Sequence, residues 1–244
     1  HKVYYCWPPK PIGLVEMIGG SYLAVSPQIS YRRMLEGLAK KNIAIHAWGY
    51  LPGFDHQEQA NEAWQELRDC KRSLESRYGN LPTPIRLGHS LGCKLHLLAP
   101  DGGRNSKMLI AMSFNNFTAN QSIPMLRKIA PKLGFHSEFS PSPSETLRLI
   151  RERYHQTNNL LVRFGEDRLD QGLSLLQCLQ GRHEDNSLSL LLEGDHLTPA
   201  SAGIRQNLIG NWADDKLKYK QLGGIVDLIC KCLGSNLTPE LIEN

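Results

Sequence analysis

The apolar positions of this chain alternate between two patterns. Short, nearly unbroken apolar runs fall at 14–18, 42–48, 85–87, 107–114, 159–164 and 187–192, the length and texture of strands buried on both faces. Between them the apolar residues recur at helical spacing: Ile29, Met34, Leu35 and Leu38; Ala60, Ala63, Trp64 and Leu67; Leu91, Leu95 and Leu98; Leu147, Ile150 and Tyr154; Leu173, Leu176 and Leu179. Strand alternating with helix over this much chain predicts an α/β fold, a doubly wound and mostly parallel sheet joined by crossover helices. Asp55 is expected to cap a helix running to about Tyr78, and Ser144 to cap the helix through Tyr154. A closing helix is expected over 204–233, interrupted at Gly210 and at Gly223-Gly224.

Two stretches break the rhythm. Residues 1–12 are rich in proline and aromatics (Trp7, Pro8, Pro9, Pro11) and read as extended chain ending in a turn. Residues 115–144 hold a short apolar stretch (Ile123, Met125, Leu126, Ile129) and then the proline-rich Phe139-Ser140-Pro141-Ser142-Pro143-Ser144. An insertion there would lie over the carboxyl ends of the strands, where ligands bind, so it is expected to form a small lid or pocket wall. The 244 residues are otherwise expected to form one domain.

Composition narrows the function without choosing it. A hydrophobic content of 41% with 21% charged residues fits a soluble globular chain rather than a disordered one. The net charge of +4 is scattered in short clusters, which gives little support to nucleic acid or an anionic membrane as partner. No apolar run reaches the length of a transmembrane helix, and no secretory signal opens the chain. His1 is not an initiator, consistent with removal of an N-terminal segment. The six cysteines lack zinc spacing, so reduced structural thiols, no metal and no organic cofactor are expected.

The chemistry concentrates at Gly88-His89-Ser90-Leu91-Gly92, placed between a strand and a helix. Glycine-x-serine-x-glycine is weak evidence alone, but strand, tight turn and helix is the setting in which it forms a nucleophile elbow. There the glycines let strand and helix approach, the Ser90 hydroxyl stands clear of the sheet, and the Leu91 N–H can face a developing oxyanion. A serine hydroxyl needs a base to take its proton, and a histidine needs an acid to fix its tautomer. His196, in the loop after the strand at 187–192, is the expected base. Asp167, just past the strand at 159–164, is the expected acid, with Asp170 as alternate and Glu166 third. The order Ser, Asp, His is that of the strand–elbow–helix hydrolases. Gly19-Gly20-Ser21-Tyr22, after the first buried strand, is where the second oxyanion N–H belongs, with Ser21 the first choice and Tyr22 the alternate. Gly20, His89 and Asn115 are expected to line the pocket; Asp55-His56 reads better as a helix start than as a catalytic pair, and His96 as packing.

These segments together resemble a family of uncharacterised α/β-hydrolase-like proteins of cyanobacteria and plant plastids, described by a domain of unknown function. The resemblance rests on Ile18-Gly19-Gly20, Phe54-Asp55-His56-Gln57 with Ala60-Asn61-Glu62, and the run from Gly88 to His96. It continues through Ser113-Phe114-Asn115-Asn116-Phe117, Pro141-Ser142-Pro143, Asp167-Arg168-Leu169-Asp170-Gln171 and Gly194-Asp195-His196-Leu197-Thr198-Pro199. It implies an α/β-hydrolase-like fold and a photosynthetic source, with no assigned substrate. A cytoplasmic protein is expected, or a stromal one in a plant. The expectation is an esterase- or thioesterase-like serine hydrolase acting on a small molecule or acyl lipid. The alternative is a non-catalytic binding or assembly protein on the same scaffold.

Overall fold

The computed structural model describes residues 2–119, 138–200 and 216–243. Its centre is a seven-stranded sheet in the order β1-β3-β2-β4-β5-β6-β7, made of β1 (Lys2–Cys6), β2 (Gly13–Ile18), β3 (Ile43–Gly49), β4 (Ile85–His89), β5 (Met108–Met112), β6 (Asn159–Phe164) and β7 (Leu188–Leu192). Every pairing is parallel except β1 against β3. The sequence pattern predicts extended chain over 2–6. It is an edge strand, carried by antiparallel pairing along the solvent-facing side of β3 rather than by a buried apolar run of its own.

Alternate residues of each inner strand enter different cores, so the strands read as continuous apolar runs. Val15, Met17, Ile45, Leu87, Ile110 and Val162 pack on one side, beneath α2 (Arg32–Lys40) and α7 (Lys216–Gly234). Leu109, Ala111, Leu161, Ile18 and Trp48 face the other side, where α3 (His56–Tyr78), α4 (Leu91–Leu97), α5 (Pro143–Arg153) and α6 (Gly172–Gln180) lie. A 3-10 turn (Ser21–Val25) and the short α1 (Pro27–Ser30) lead into α2, and α8 (Pro239–Glu243) ends the chain.

Several local expectations meet the structure differently. The helical pattern through Ile29, Met34, Leu35 and Leu38 is broken at Tyr31, whose side chain is fully buried. Asp55 does cap α3, its carboxylate accepting from the Glu58 N–H at 2.8 Å. Helix α5 is capped by Ser142 rather than Ser144: Pro143, with no N–H to satisfy, takes the first helical position, and the Ser142 hydroxyl accepts from Glu145 N–H. On α6 the buried stripe is Leu175, Cys178 and Leu179, while Leu173 is half exposed. Helix α7 runs unbroken through Gly223-Gly224, because tertiary packing by Leu222, Ile225, Val226 and Ile229 outweighs the low helix propensity of the pair. The apolar stretch at 123–129, most of the expected lid, and Gly210 lie outside the described residues. All six cysteines are free. Among the described residues no helix is long and apolar enough to cross a membrane.

Candidate active site

Strand β4 delivers Ser90 to the sheet's carboxyl edge. Ser90 takes φ 55°, ψ −121°, a conformation an L residue adopts only under strain, and Leu91 begins α4 immediately after it. The flanking glycines make this sharp reversal possible. A Cβ on Gly92 would stand 2.0 Å from the Ile18 carbonyl oxygen, and one on Gly88 2.7 Å from the Cys93 Cα. Both contacts are with backbone, which cannot swing aside.

The loops after β6 and β7 meet at the same edge. The Glu166 N–H donates to the Gly194 carbonyl at 2.9 Å and that of Gly165 to the Leu192 carbonyl at 2.9 Å, so the two loops are tied together. Within the second loop, the Asp195 carboxylate accepts from the Leu197 N–H and the Asp195 N–H donates to the Thr198 hydroxyl, which fixes the turn carrying His196. His196 Nδ1 lies 2.9 Å from Asp167 Oδ2, and His196 Nε2 lies 3.2 Å from Ser90 Oγ. The Asp167 side chain is fully buried; its other oxygen accepts from the Leu169 N–H at 2.8 Å. Burial alone would raise the Asp167 carboxyl, but the hydrogen bonds it accepts, led by that with His196, together with the His196 charge outweigh it and hold it below the usual range. Asp170 turns away, onto Arg163 Nε at 2.7 Å and the Gly172 N–H at 3.0 Å, and burial pushes its carboxyl up. Glu166 is exposed.

The turn after β2 packs directly against the serine. A Cβ on Gly20 would come 3.0 Å from Ser90 Cβ and 3.4 Å from its Oγ. Ser21 opens the 3-10 turn and Leu91 opens α4, the positions where a helix start leaves N–H groups without an intrahelical acceptor. Tyr22 is the second residue of the same turn.

Two expected pocket residues have more specific places. His89 is fully buried beneath the edge rather than on a pocket wall: Nδ1 is 2.7 Å from the Tyr31 hydroxyl and Nε2 is 2.8 Å from the His196 carbonyl oxygen. Tyr31 in turn accepts the Gly20 N–H at 2.8 Å. The sequence does not single out Tyr31, which falls outside the apolar stripe of Ile29, Met34, Leu35 and Leu38. Asn115, just past β5, places Nδ2 2.6 Å from Ser90 Oγ.

Away from this edge, His56 is buried at the start of α3 and packs on Phe139 with ring centroids 4.4 Å apart. His96 is buried toward the far end of α4. Among the described residues no group of three or more His, Cys, Asp or Glu side chains could hold a metal ion.

A family model described as "Protein of unknown function (DUF1350)" matches residues 2–215. No curated protein matches the sequence. Among solved structures, the chain is similar to the fluorophosphonate-binding serine hydrolase F of Staphylococcus aureus, at 12% identity and TM-score 0.60 over 96% of this chain and 92% of that one. It is similar to the monoacylglycerol lipase of Paleococcus ferrophilus at 14% identity and TM-score 0.56, covering 93% and 98%. It is also similar to Est1E of Butyrivibrio proteoclasticus at 14% identity and TM-score 0.54, covering 96% and 94%. With the mostly parallel seven-stranded sheet, these likenesses establish the α/β-hydrolase fold.

Proposed function

The chain belongs to the DUF1350 family, and we propose that it is a serine hydrolase cleaving ester or thioester bonds. One observation carries the reading: a serine on a strained elbow, a histidine 3.2 Å from its hydroxyl, and a buried carboxylate 2.9 Å from the other ring nitrogen. A structural serine has no use for a strained backbone and a histidine already oriented by an acid.

In the proposed reaction Asp167 holds the Nδ1 proton of His196, leaving Nε2 as acceptor. Ser90 Oγ attacks the carbonyl carbon while its proton passes to Nε2, and the carbonyl π electrons move to oxygen. The Leu91 and Ser21 N–H groups stabilise that oxyanion, with the α4 dipole adding to the field. Collapse expels the alcohol or thiol, which takes the proton from His196 and leaves an acyl-serine. Water, activated by the same histidine, then releases the acid. An acyl chain is the proposed substrate class, and no cofactor enters the scheme.

The test is labelling with a fluorophosphonate, which reports an activated serine without knowledge of the substrate. Labelled wild type and unlabelled Ser90→Ala is the expected result. Folded wild-type protein that resists the reagent would favour a binding or assembly protein on the hydrolase scaffold.

A further inference from the structure

We propose that Asn115 is a further catalytic residue, its side-chain amide donating a hydrogen bond to Ser90 Oγ whenever that oxygen carries negative charge. This rests on the serine-hydrolase reading above and deepens it.

Donor and acceptor bookkeeping fixes the role. Asp167 is held as a carboxylate, which only accepts, so the His196 Nδ1 facing it must carry the proton. A neutral ring then presents a lone pair at Nε2, and the Ser90 hydroxyl gives its one proton to that position. What remains on Oγ is acceptor capacity alone. The amide group 2.6 Å away must therefore turn its N–H₂ end toward the serine; its carbonyl end would face oxygen lone pairs with no proton between them.

The surrounding chain holds that amide in place. Ser113 adopts φ 51° and donates its N–H to the Val162 carbonyl at 3.0 Å. On the other side, the Asn116 N–H donates to Gln171 Oε1 at 2.5 Å, the Gln171 N–H returns a bond to the Phe114 carbonyl at 2.7 Å, and Asn116 Nδ2 reaches the Pro143 carbonyl at 2.9 Å. Asn115 thus sits, buried, between two residues pinned from three separate segments. A donor fixed in advance costs no reorganisation when charge develops.

The amide acts at two moments. In acylation, Oγ attacks with one lone pair as its proton moves to His196, and the other lone pair accepts from Asn115. In deacylation, water has added to the acyl carbon with its proton on His196; the carbon–Oγ bond then breaks, its electron pair goes to Oγ, and the proton returns there. At both points the Asn115 bond is stronger than in the resting hydroxyl, because Oγ then carries partial negative charge.

The test compares labelling rate constants for a fluorophosphonate, in which Oγ attacks phosphorus, its proton passes to His196 and fluoride leaves. Asn115→Ala is expected to react roughly 10- to 100-fold more slowly than wild type, at an unchanged thermal midpoint. Asn115→Asp keeps the shape but, once ionised, offers only acceptors and a second negative charge, and is expected to be slower still at pH 8. Asn115→Ala labelled within twofold of wild type overturns the proposal, as does Asn115→Asp reacting as fast as wild type. Should Asn115→Ala fail to fold, the shape-preserving Asn115→Asp decides alone. An unlabelled wild type would instead remove the hydrolase reading, and this proposal with it.

Discussion

His89 Nε2 lies 2.8 Å from the carbonyl oxygen of His196, so the residue preceding the serine grips the backbone of the residue facing it. A carbonyl only accepts, so His89 Nε2 carries the proton and Nδ1 is an acceptor. The Tyr31 hydroxyl therefore donates to Nδ1 at 2.7 Å and accepts the Gly20 N–H at 2.8 Å. One uncharged chain of hydrogen bonds thus joins the turn after β2 to the loop after β7, passing beneath Ser90. Burial, with the neighbouring His196, pushes His89 down to about 3, so the chain stays neutral throughout the working pH range.

Tyr31→Phe removes the middle link and strands two buried groups, the Gly20 N–H and His89 Nδ1. A loss of about 2 kcal/mol or more in urea unfolding is expected, since each buried group left unpaired costs about 1–3 kcal/mol. Labelling should slow as well, because Gly20 leads into one proposed oxyanion donor and His89 steadies the base. Wild-type stability in the variant would mean that the hydroxyl is not engaged as described.

What could be read from the sequence, and what could not, follows from the range of the interactions. Ser90, Asp167 and His196 each follow an apolar run, and strand ends are where a parallel sheet gathers loops, so their shared edge was legible. The Asp55 cap is a local interaction and was equally visible. Ser142 was missed for Ser144 because both are serines beside Pro143, and only the proline's preference for the first helical position separates them. The bonds of Tyr31 to His89 and of His89 to His196 join residues 58 and 107 positions apart, and no periodicity announces them. Asn115 lay in a quoted motif, but its 2.6 Å approach to Ser90 depends on how β4 and β5 stagger.

The two candidate acids are driven in opposite directions, and that separates their variants. Asp167→Asn exchanges an acceptor for a group that can hold His196 in the wrong tautomer, and labelling should fall on the order of 10³- to 10⁴-fold. Asp170→Asn leaves Arg163 without its carboxylate, so it should lower the thermal midpoint while leaving the labelling rate within a few-fold of wild type. If the asparagine at 170 proves the more damaging to labelling, the proposed acid is wrong.

Glycine-to-alanine substitutions should split according to what the new methyl meets. Gly92→Ala forces a Cβ to 2.0 Å from the Ile18 carbonyl oxygen, which the elbow cannot accommodate without displacing β2 or α4. A loss of about 4 kcal/mol or failure to accumulate as folded protein is expected. Gly223→Ala, in the middle of α7 with nothing within 4 Å of the new carbon, should gain about 0.5–1 kcal/mol through helix propensity. Chemical denaturation of the pair checks both signs, and a destabilised Gly223→Ala would show that this helix depends on the flexibility of its glycines.

Acid should unfold the protein by protonating histidines it keeps neutral. Burial pushes His46 down to about 4 and His56, His89 and His96 to about 3, while in the unfolded chain each would titrate near 6.5. Between those limits the unfolded state binds the extra proton, so the stability these four contribute is full above about 6.5 and drains as pH falls toward 4. Glu16 opposes them: burial raises its carboxyl to about 7, so the folded state holds a proton there that the unfolded state loses above about 4.5. The balance is about three protons, or roughly 4 kcal/mol per pH unit near pH 5. Lys94, pushed down to about 7 by burial, extends the rise on the alkaline side, where the unfolded lysine stays charged and the folded one does not. Stability measured by urea titration from pH 4.5 to 8 should therefore climb steeply to about 6.5 and then more gently, before the cysteines whose thiols burial raises reverse the trend at higher pH. A curve flat between pH 5 and 6.5 would contradict the burial of these four rings, and His89→Gln, which cannot titrate, should remove about one proton from the slope.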